Sequence, residues 1–524
     1  MATSPSDEFS ITPSSAYSNG VARYTTRLPT QLYLAEQVRE LDRIAIEEHQ
    51  VAGIRLMKRA GRAAFGALLD RWPETEQITV FCGAGNNGGD GYIVAALAAQ
   101  RRIPVTVVHV AAPEKLKGDA LRAYEFALRE GVLMQPFDEQ QPVPASVLVD
   151  ALLGTGLKGD VRSEYRQAIE KINASGLPVL SVDLPSGLCA DTGVELGLAV
   201  KAEVTISFIG LKQGLLSGRG PALCGQLLYS DLELAEEITA ALPPASHRLD
   251  LATLLERLPA RDADSHKGHF GHVMVVGGDH GFAGAALMAG EAAARCGSGL
   301  TSVVTRAEHL AAIIARCPEL MATAVASGQE LKPLLQRPSV LVIGPGLGRS
   351  PWSEQLLLQA AQSDLPQVLD ADALNILAEG KVVESTPRAN RVLTPHPGEA
   401  ARLLGCSVAE VQADRFKAVQ TLQRKYGGVV LLKGAGTLIA DEQQVYVANV
   451  GNPGMASGGM GDVLSGMIGA LLAQGLSPLD ATCLAVCLHG SAADLAAEES
   501  GQRGLLATDL LLYARQLLNS EVAV

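Results

Sequence analysis

Asn452 to Gly466 reads NPGMASGGMGDVLSG. Five of these fifteen residues are glycine, and Gly461-Asp462 runs without a break into Val463, Leu464, Met467, Ile468, Leu471 and Leu472, the spacing of one helix face. A glycine-rich loop entering a helix offers unpaired backbone N–H groups and the positive end of the helix dipole to an anion. Phosphate suits such a loop. A carboxylate at the same junction is out of place beside phosphate unless it takes a proton from an attacking oxygen, which makes Asp462 a candidate base. A plainer reading stays open: the glycines only make a turn and Asp462 caps the helix.

The chain around this stretch has 524 residues, 47% hydrophobic and 19% charged, with a net charge of −13. That length is expected to give two to four globular domains, at about 150 residues each. The acidity is spread without a long single-sign run, which argues against nucleic acid as a partner and leaves room for a small anion held by backbone donors. Eight dispersed cysteines without C-x-x-C pairs read as reduced core residues of a cytoplasmic protein. No apolar run reaches the roughly 18 residues of a membrane helix, so no membrane partner is expected. Residues 1–28 are Ser/Thr-rich, lack a basic start and an apolar core, and read as a disordered tail.

Gln31 to Trp72 carries a helical pattern, and then short apolar runs alternate with helical stretches: ITVFCGAG, PVTVVHV, VLVDALLG, LPVLSVDLPSG and EVTISFIG. Alternation of this kind predicts a parallel sheet covered by helices. Pro, Ala and mixed charge take over near 241–264, read as a linker and entry to a second domain. GHVMVVGGDHG, GLTSVVT, VLVIGPGLG, PQVLDADALN, RVLTPHPGE and VVLLKGAGTLIAD then begin a second α/β series. The halves share no repeat period, so two different α/β domains are expected.

In open α/β sheets ligands sit beyond the carboxyl ends of the strands. GPGLG (344–348), TPHPGEA (394–400), KGAGT (433–437) and the opening stretch all flank strand-like runs. Taken together in this order they resemble the ribokinase-like fold. From His266 onward the chain is similar to its ADP/ATP-dependent NAD(P)H-hydrate dehydratase branch, with NPGMASGGMGDVLSG and TPHPGEAARL as the hallmarks. The resemblance implies that Lys433, Gly434, Ala435, Gly436, Thr437 and Gly461 bind the adenine nucleotide, ADP or ATP, and that Asp462 is the base. It implies that His396, Pro397, Glu399, Gly346, Gly348 and Ala285 contact the hydrated dinucleotide. Mg²⁺ is expected with the nucleotide. His396 by itself reads equally as a core histidine or a ligand.

FCGAGNNGGDGYIVA (81–95) is again strand, glycine loop and helix, without G-x-G-x-x-G spacing. Asp150, and Asp183 with Ser186, end later strands, so three loops can converge on one crevice; oxygen donors without Cys or His suit a hard cation. With LLGTGLKGDVR, these stretches resemble the NAD(P)H-hydrate epimerase domain over about Gln31 to Glu237, an N-terminal Rossmann-like three-layer domain. The resemblance implies K⁺ held by Asn87, Asp150 and Ser186. Substrate contacts are implied at Asn86, Asn87, Gly88, Gly89 and Asp90, and at Gly154, Thr155, Gly156, Leu157, Gly159 and Asp160. Asp183 and Lys158 are the acid/base candidates. Asp183 as a turn cap before Pro185, and Lys158 as a solvated surface residue, are the plainer alternatives.

The expected division is a tail (1–28), an epimerase domain (29–240), a linker (241–264) and a dehydratase domain (265–524). The implied substrates are NADHX and NADPHX, whose two hydrate epimers would need both activities; a homo-oligomer is expected. A small-molecule kinase of the hydroxymethylpyrimidine or pyridoxal type, with a regulatory N-terminal domain, shares the Gly461-Asp462 logic but not TPHPGEA. A non-enzymatic scaffold or RNA-binding first half would need a basic, aromatic-bearing surface that the sequence does not signal.

Overall fold

The computed structural model describes residues 24–384 and 386–519, and the expected tail lies outside the described residues up to residue 23. Thr25 is already bonded to the chain, in an antiparallel bridge to Tyr229, and the Tyr24 hydroxyl donates to Asp70 at 2.6 Å. The first domain, expected from residue 29, therefore has its chain engaged from Tyr24 onward. Two compact units divide the chain, one up to Ser246 and one from His247.

The first unit holds a seven-stranded parallel sheet in the order Leu133–Pro136, Val105–His109, Ile78–Cys82, Val147–Ala151, Val179–Val182, Val204–Phe208, Gln226–Ser230. Alternation along the strands builds three layers. Ile78, Val80 and Cys82 enter one core with Val147, Val149 and the helix Gly53–Arg71, while Phe81 and Leu148 enter the other with Ala168 and Ile169. Strand order reverses between Ile78–Cys82 and Val147–Ala151, so the crevice beyond Cys82 and Ala151 is the switch point where ligands bind. The stretch expected to be wholly helical is interrupted: Gln31–Tyr33 is a strand, Ala35–Arg43 a helix, Ile44–Glu48 a π-turn, and Gln50 has φ +55° before Gly53–Arg71.

The second unit is built on the order Met321–Ala324, Leu300–Thr305, His272–Val276, Val340–Ile343, Gln367–Leu369, Arg391–Leu393, Val429–Leu432, Thr437–Ala440, Val445–Ala448. Its switch point lies between His272–Val276 and Val340–Ile343. Seven strands, ending with Val429–Leu432, are parallel, but Thr437–Ala440 runs antiparallel to both Val429–Leu432 and Val445–Ala448. The physical reason is loop length: the four residues 433–436 can close a hairpin but cannot make a parallel crossover. Val273, Val275, Val340, Val342 and Val368 share a core with the helices Ala283–Arg295, Met460–Ala473 and Pro478–Ser500. The segment 241–264, read as a linker and entry to the second domain, contributes to the second unit. His247 and Arg248 pair with Tyr446 and Val447, and the helix Leu251–Leu255 sends Leu254 into that core.

All eight cysteines are free; six are buried and Cys189 and Cys406 are half-buried. Among the described residues no helix is long and apolar enough to cross a membrane.

Candidate functional sites

In the first unit a cavity of about 580 Å³ opens at the switch point. Asn86, Asn87 and Asp90 line it from one side, Gly154 to Lys158 from another, and Asp183 from a third. The three loops do converge there. The helix Asn86–Gln100 starts in the glycine loop, and Gly88 must be glycine because a Cβ would lie 2.1 Å from the Gly83 carbonyl oxygen. Gly88 and Gly89 are buried beneath the loop, whereas Gly159 and Asp160 are exposed beyond the cavity lining.

Asp183 has φ +69°, a costly backbone for a residue with a Cβ, in the turn directly after the strand Val179–Val182. Its carboxylate faces away from the turn before Pro185: Oδ1 accepts from Phe208 N at 3.4 Å and from the Lys212 ammonium. Lys212 is 1% exposed and also donates to Ser207 Oγ and the Phe208 carbonyl, each at 3.1 Å. All three of its donors are thus directed, and Asp183 stands against a fixed cation. Lys158 is exposed on the lining of the same cavity. Burial, reinforced by Asp183 and Asp42 and only partly offset by Lys212, pushes the Asp90 carboxyl well above the usual carboxylate range.

Below the cavity, Asp150 is fully buried and accepts from Ser181 Oγ (2.8 Å), Ser186 Oγ (2.5 Å), Ser186 N (2.8 Å) and Leu152 N (3.3 Å). Burial raises its carboxyl, against the lowering effect of those bonds. Asn87 Nδ2 and Ser186 Oγ both donate to the Leu153 carbonyl at 3.2 Å, while Asn87 Oδ1 is buried without a hydrogen-bond partner. An orphaned amide oxygen beside a hydroxyl, a carbonyl and a carboxylate is the donor set a hard monovalent cation fits.

The second unit brings four motifs together. The helix Met460–Ala473 begins after Gly459, whose φ is +91° and whose side-chain position is filled by Met288 Sδ at 2.7 Å. Asp462 lies within the first turn rather than at the cap, and its side chain makes no hydrogen bond to a described residue. Val463, Leu464, Met467, Ile468 and Leu471 are buried, each contributing about 1.5–3 kcal/mol, which fixes the helix that aims Asp462.

Lys433 Nζ lies 2.9 Å from Asp370 Oδ1 and 3.9 Å from Glu399 Oε2. Thr394 Oγ1 and Ser465 Oγ each donate to Asp370 at 2.7 Å. Burial works against the charge on Asp370, yet Lys433, Ser465 and Thr394 hold its carboxyl below the usual range. Burial likewise opposes the Lys433 ammonium, and Asp370 and Glu399 more than offset it. The remaining carboxyls are driven upward: burial and Asp370 raise Asp462 to about 7 against Lys433, and burial raises Glu399 to about 7 against Lys433.

His396 is half exposed and is not a core residue. It caps the helix Pro397–Leu404 through Nδ1, and Glu399 reciprocates on His396 N at 2.8 Å. The turn 433–436 is held from below by Arg415, buried, which donates to the carbonyls of Leu432, Lys433 and Gly436; Gly434 and Ala435 remain exposed and Thr437 Oγ1 closes on Gly434 O at 3.0 Å. Gly346 packs against Ala285 Cβ, and Gly348 N donates to Asp372 at 2.9 Å, so these candidates border the switch point. Lys212, Asp370 and Arg415 carry no motif; Lys212 and Asp370 are signalled only by a charge inside or at the end of an apolar run, and Arg415, among Asp414 and Lys417, by nothing.

A doubly wound unit with an acidic switch-point cavity, joined to an α/β unit with a glycine-entered helix and a Lys–Asp–Glu cluster, defines a two-site α/β enzyme. The family model described as NAD(P)H-hydrate dehydratase matches residues 273–515, and that described as YjeF-related protein N-terminus matches 53–214. The bifunctional NAD(P)H-hydrate repair enzyme of Coxiella burnetii is 50% identical over 491 residues, 94% of this chain and 100% of that protein. That of Escherichia coli is 43% identical over 496 residues, covering 94% and 95%. A Bacillus subtilis ADP/ATP-dependent NAD(P)H-hydrate dehydratase, co-crystallized with ATP/Mg²⁺, is 31% identical with a TM-score of 0.47, covering 52% of this chain and 96% of that one. The chain belongs to the family of bifunctional NAD(P)H-hydrate repair enzymes, and the kinase and scaffold alternatives fall away.

Proposed function

We propose that the chain repairs hydrated NADH and NADPH at two sites, interconverting the R and S hydrates in the first unit and dehydrating the S hydrate at the expense of an adenine nucleotide in the second. The observation that carries the dehydratase assignment is Asp462, in the first turn of the glycine-entered helix, beside Lys433 and free of hydrogen-bond partners among the described residues.

The backbone N–H groups leading into Met460–Ala473, together with Lys433 to Thr437 and Gly461, bind the nucleotide phosphates. His396, Pro397, Glu399, Gly346, Gly348 and Ala285 seat the hydrated dinucleotide. Asp462 accepts the proton of the ring hydroxyl as its oxygen attacks the terminal phosphate; a carboxyl raised to about 7 is well matched to that task near neutral pH. The C–O bond of the ester then breaks and phosphate departs, taking the proton of the adjacent C–H, whose electron pair restores the double bond. Phosphate departs far more readily than hydroxide. Asp462 and Asp372, neighbours at the helix entry, are the oxygen donors that would hold Mg²⁺, which would supply neutralising charge to the nucleotide phosphates.

In the first unit Asn86, Asn87, Gly88, Gly89 and Asp90, with Gly154 to Asp160, receive the hydrate. Asp183, facing the Lys212 ammonium, moves the proton at the epimerising centre, with exposed Lys158 as its partner group. Asn87, Asp150 and Ser186 are the residues that would hold K⁺, which would supply a fixed positive charge beneath the glycine loop. NADHX turnover followed at the NADH absorbance band, with and without ADP or ATP, tests the reading. Nucleotide-independent return of NADH would overturn the dehydratase step.

A further inference from the structure

Asp42 is the penultimate residue of the helix Ala35–Arg43, and its side chain lines the same cavity as Asp90, Asp183 and Lys212. The helix is firmly placed. Ala35 N donates to Asp191 at 2.7 Å, Val38 and Leu41 are buried, and Arg39 Nη1 reaches the Thr155 carbonyl at 3.1 Å, tying the helix to the loop Gly154–Lys158. Directly after it the chain enters the π-turn Ile44–Glu48, a distortion that recurs at functional sites.

Nothing about folding favours a carboxylate there: Asp42 is half-buried and makes no hydrogen bond to a described residue. The neighbouring Arg43 guanidinium is spent on Glu40, Glu47 and Glu48. The charged groups that share the cavity with Asp42 are Lys212, Asp183, Asp90, Arg39, Asp119 and Lys158. Burial, opposed by Lys212 and aided by Asp183, raises the Asp42 carboxyl to about 6. One cavity therefore holds a carboxyl whose surroundings favour the protonated form more than usual and a second, Asp183, that faces a buried ammonium. Two carboxyls in contrasting environments are the pattern of an acid with a base.

We propose that Asp42 is a second catalytic carboxyl of this cavity, working on the opposite face of the ring from Asp183. The proposal rests on the epimerase reading of the first unit. Hydration of an enamine double bond places the hydroxyl on the carbon bonded to nitrogen. Inverting that carbon requires the C–O bond to break as the nitrogen lone pair forms C=N⁺, and water to add again from the other side. Asp42 protonates the departing hydroxyl, which leaves as water. Asp183 takes the proton of the incoming water as the new C–O bond forms and the electron pair returns to nitrogen. One water leaves and one enters, and the reverse reaction exchanges the two roles.

The test is Asp42→Asn in the full chain, reading R/S exchange of NADHX and uptake of ¹⁸O from labelled water into the ring hydroxyl, with Asp42→Glu and wild type in parallel and thermal melting as the folding control. Both rates are expected to fall at least about 100-fold in Asp42→Asn and to recover in part in Asp42→Glu. The alkaline decline of the wild-type exchange rate, set by the carboxyl near 6, is expected to vanish in Asp42→Asn. Exchange within tenfold of wild type by a folded Asp42→Asn overturns the proposal. If that variant melts early, a pH profile of Asp42→Glu identical to wild type overturns it instead. Failure of the wild type to exchange epimers sinks the epimerase reading itself, and that outcome is distinct from a failure of Asp42 alone.

Discussion

Lys433 Nζ stands 2.9 Å from Asp370 Oδ1, a pair only one-fifth exposed on the lysine side and 2% on the aspartate side. Burial is the main cause that raises Asp462 and Glu399, and the pair acts on top of it, Asp370 raising both and Lys433 lowering both. Asp462 must be deprotonated to accept the hydroxyl proton, so kcat/KM for dehydration is expected to rise with pH and level off above about 7. Glu399 titrates in the same range, and the observed limb belongs to both. Asp370→Asn removes the negative charge that adds to burial in raising them and is expected to move this limb to lower pH. A pH–rate profile of the variant that overlays wild type would show that Asp370 does not tune the site.

Asp462→Asn separates binding from chemistry. Main-chain N–H groups and the helix dipole hold phosphate without the carboxylate, so nucleotide affinity by calorimetry is expected to stay within about tenfold of wild type, roughly 1.4 kcal/mol. Turnover is expected to fall at least about 100-fold, since an amide accepts no proton. Gly461→Val does the reverse: a Cβ at 461 lies 3.2 Å from Lys433 Nζ and 3.6 Å from Asp370 Oδ2, so the added methyls press on the pair and on the phosphate approach. Normal turnover by Asp462→Asn would reduce Asp462 to a structural residue.

The same substitution is expected to stabilise the fold, and only above acid pH. A carboxyl raised to about 7 in the folded state binds a proton that the unfolded chain has already released from about pH 4 upward. Stability is therefore lost as pH rises through that window, and the penalty is complete above about 7. Asp462→Asn abolishes it. Urea unfolding at pH 8 is expected to show a gain on the order of 1–3 kcal/mol, shrinking toward zero at pH 4. A gain independent of pH would refute the electrostatic origin.

Asp183→Asn is expected to cut epimer exchange at least about 100-fold. Lys212→Met acts through the same carboxylate, since the ammonium donates to Asp183 Oδ1. The double variant is therefore expected to be no slower than the slower single one, whereas independent residues would multiply. Chromatographic separation of the R and S hydrates over time measures all three.

Glycine and aspartate at strand ends made the loops legible in the sequence, because their use there has a local cause: tight turns, open N–H groups and a carboxylate with no core to join. Asp370, Lys212 and Asp42 escaped because their meaning lies in partners distant in sequence. Asp370 ends a strand just as Asp150 and Asp183 do, but only the fold shows Lys433 and Ser465 closing on it. Lys212 sits in FIGLKQGLL, where only its burial against Asp183 distinguishes it from a surface lysine. Val429 to Ala440 reads as one strand-like run in the sequence and is two strands of a hairpin in the fold, because apolar patterning signals a strand but not where it turns back.

The start of the second unit gives the last prediction. A boundary at Ser265 removes the pairing of His247 and Arg248 with Tyr446 and Val447, the core side chains Leu249 and Leu254, and the Arg257–Asp480 ion pair. The exposed ion pair contributes little, but two buried leucines contribute about 1.5–3 kcal/mol each, and the strand Val445–Ala448 loses its pairing with Ser246–Arg248. A fragment from His247 is expected to dehydrate one epimer with nucleotide and to melt well above a fragment from Ser265, by more than 5 °C if each kcal/mol shifts the midpoint of a domain this size by about 2–4 °C. Side-by-side melting and NADHX turnover decide it. Equal melting of the two fragments would mean that residues 247–264 are a dispensable linker, and full conversion of both epimers at equal rates by either fragment would end the division of labour between the units.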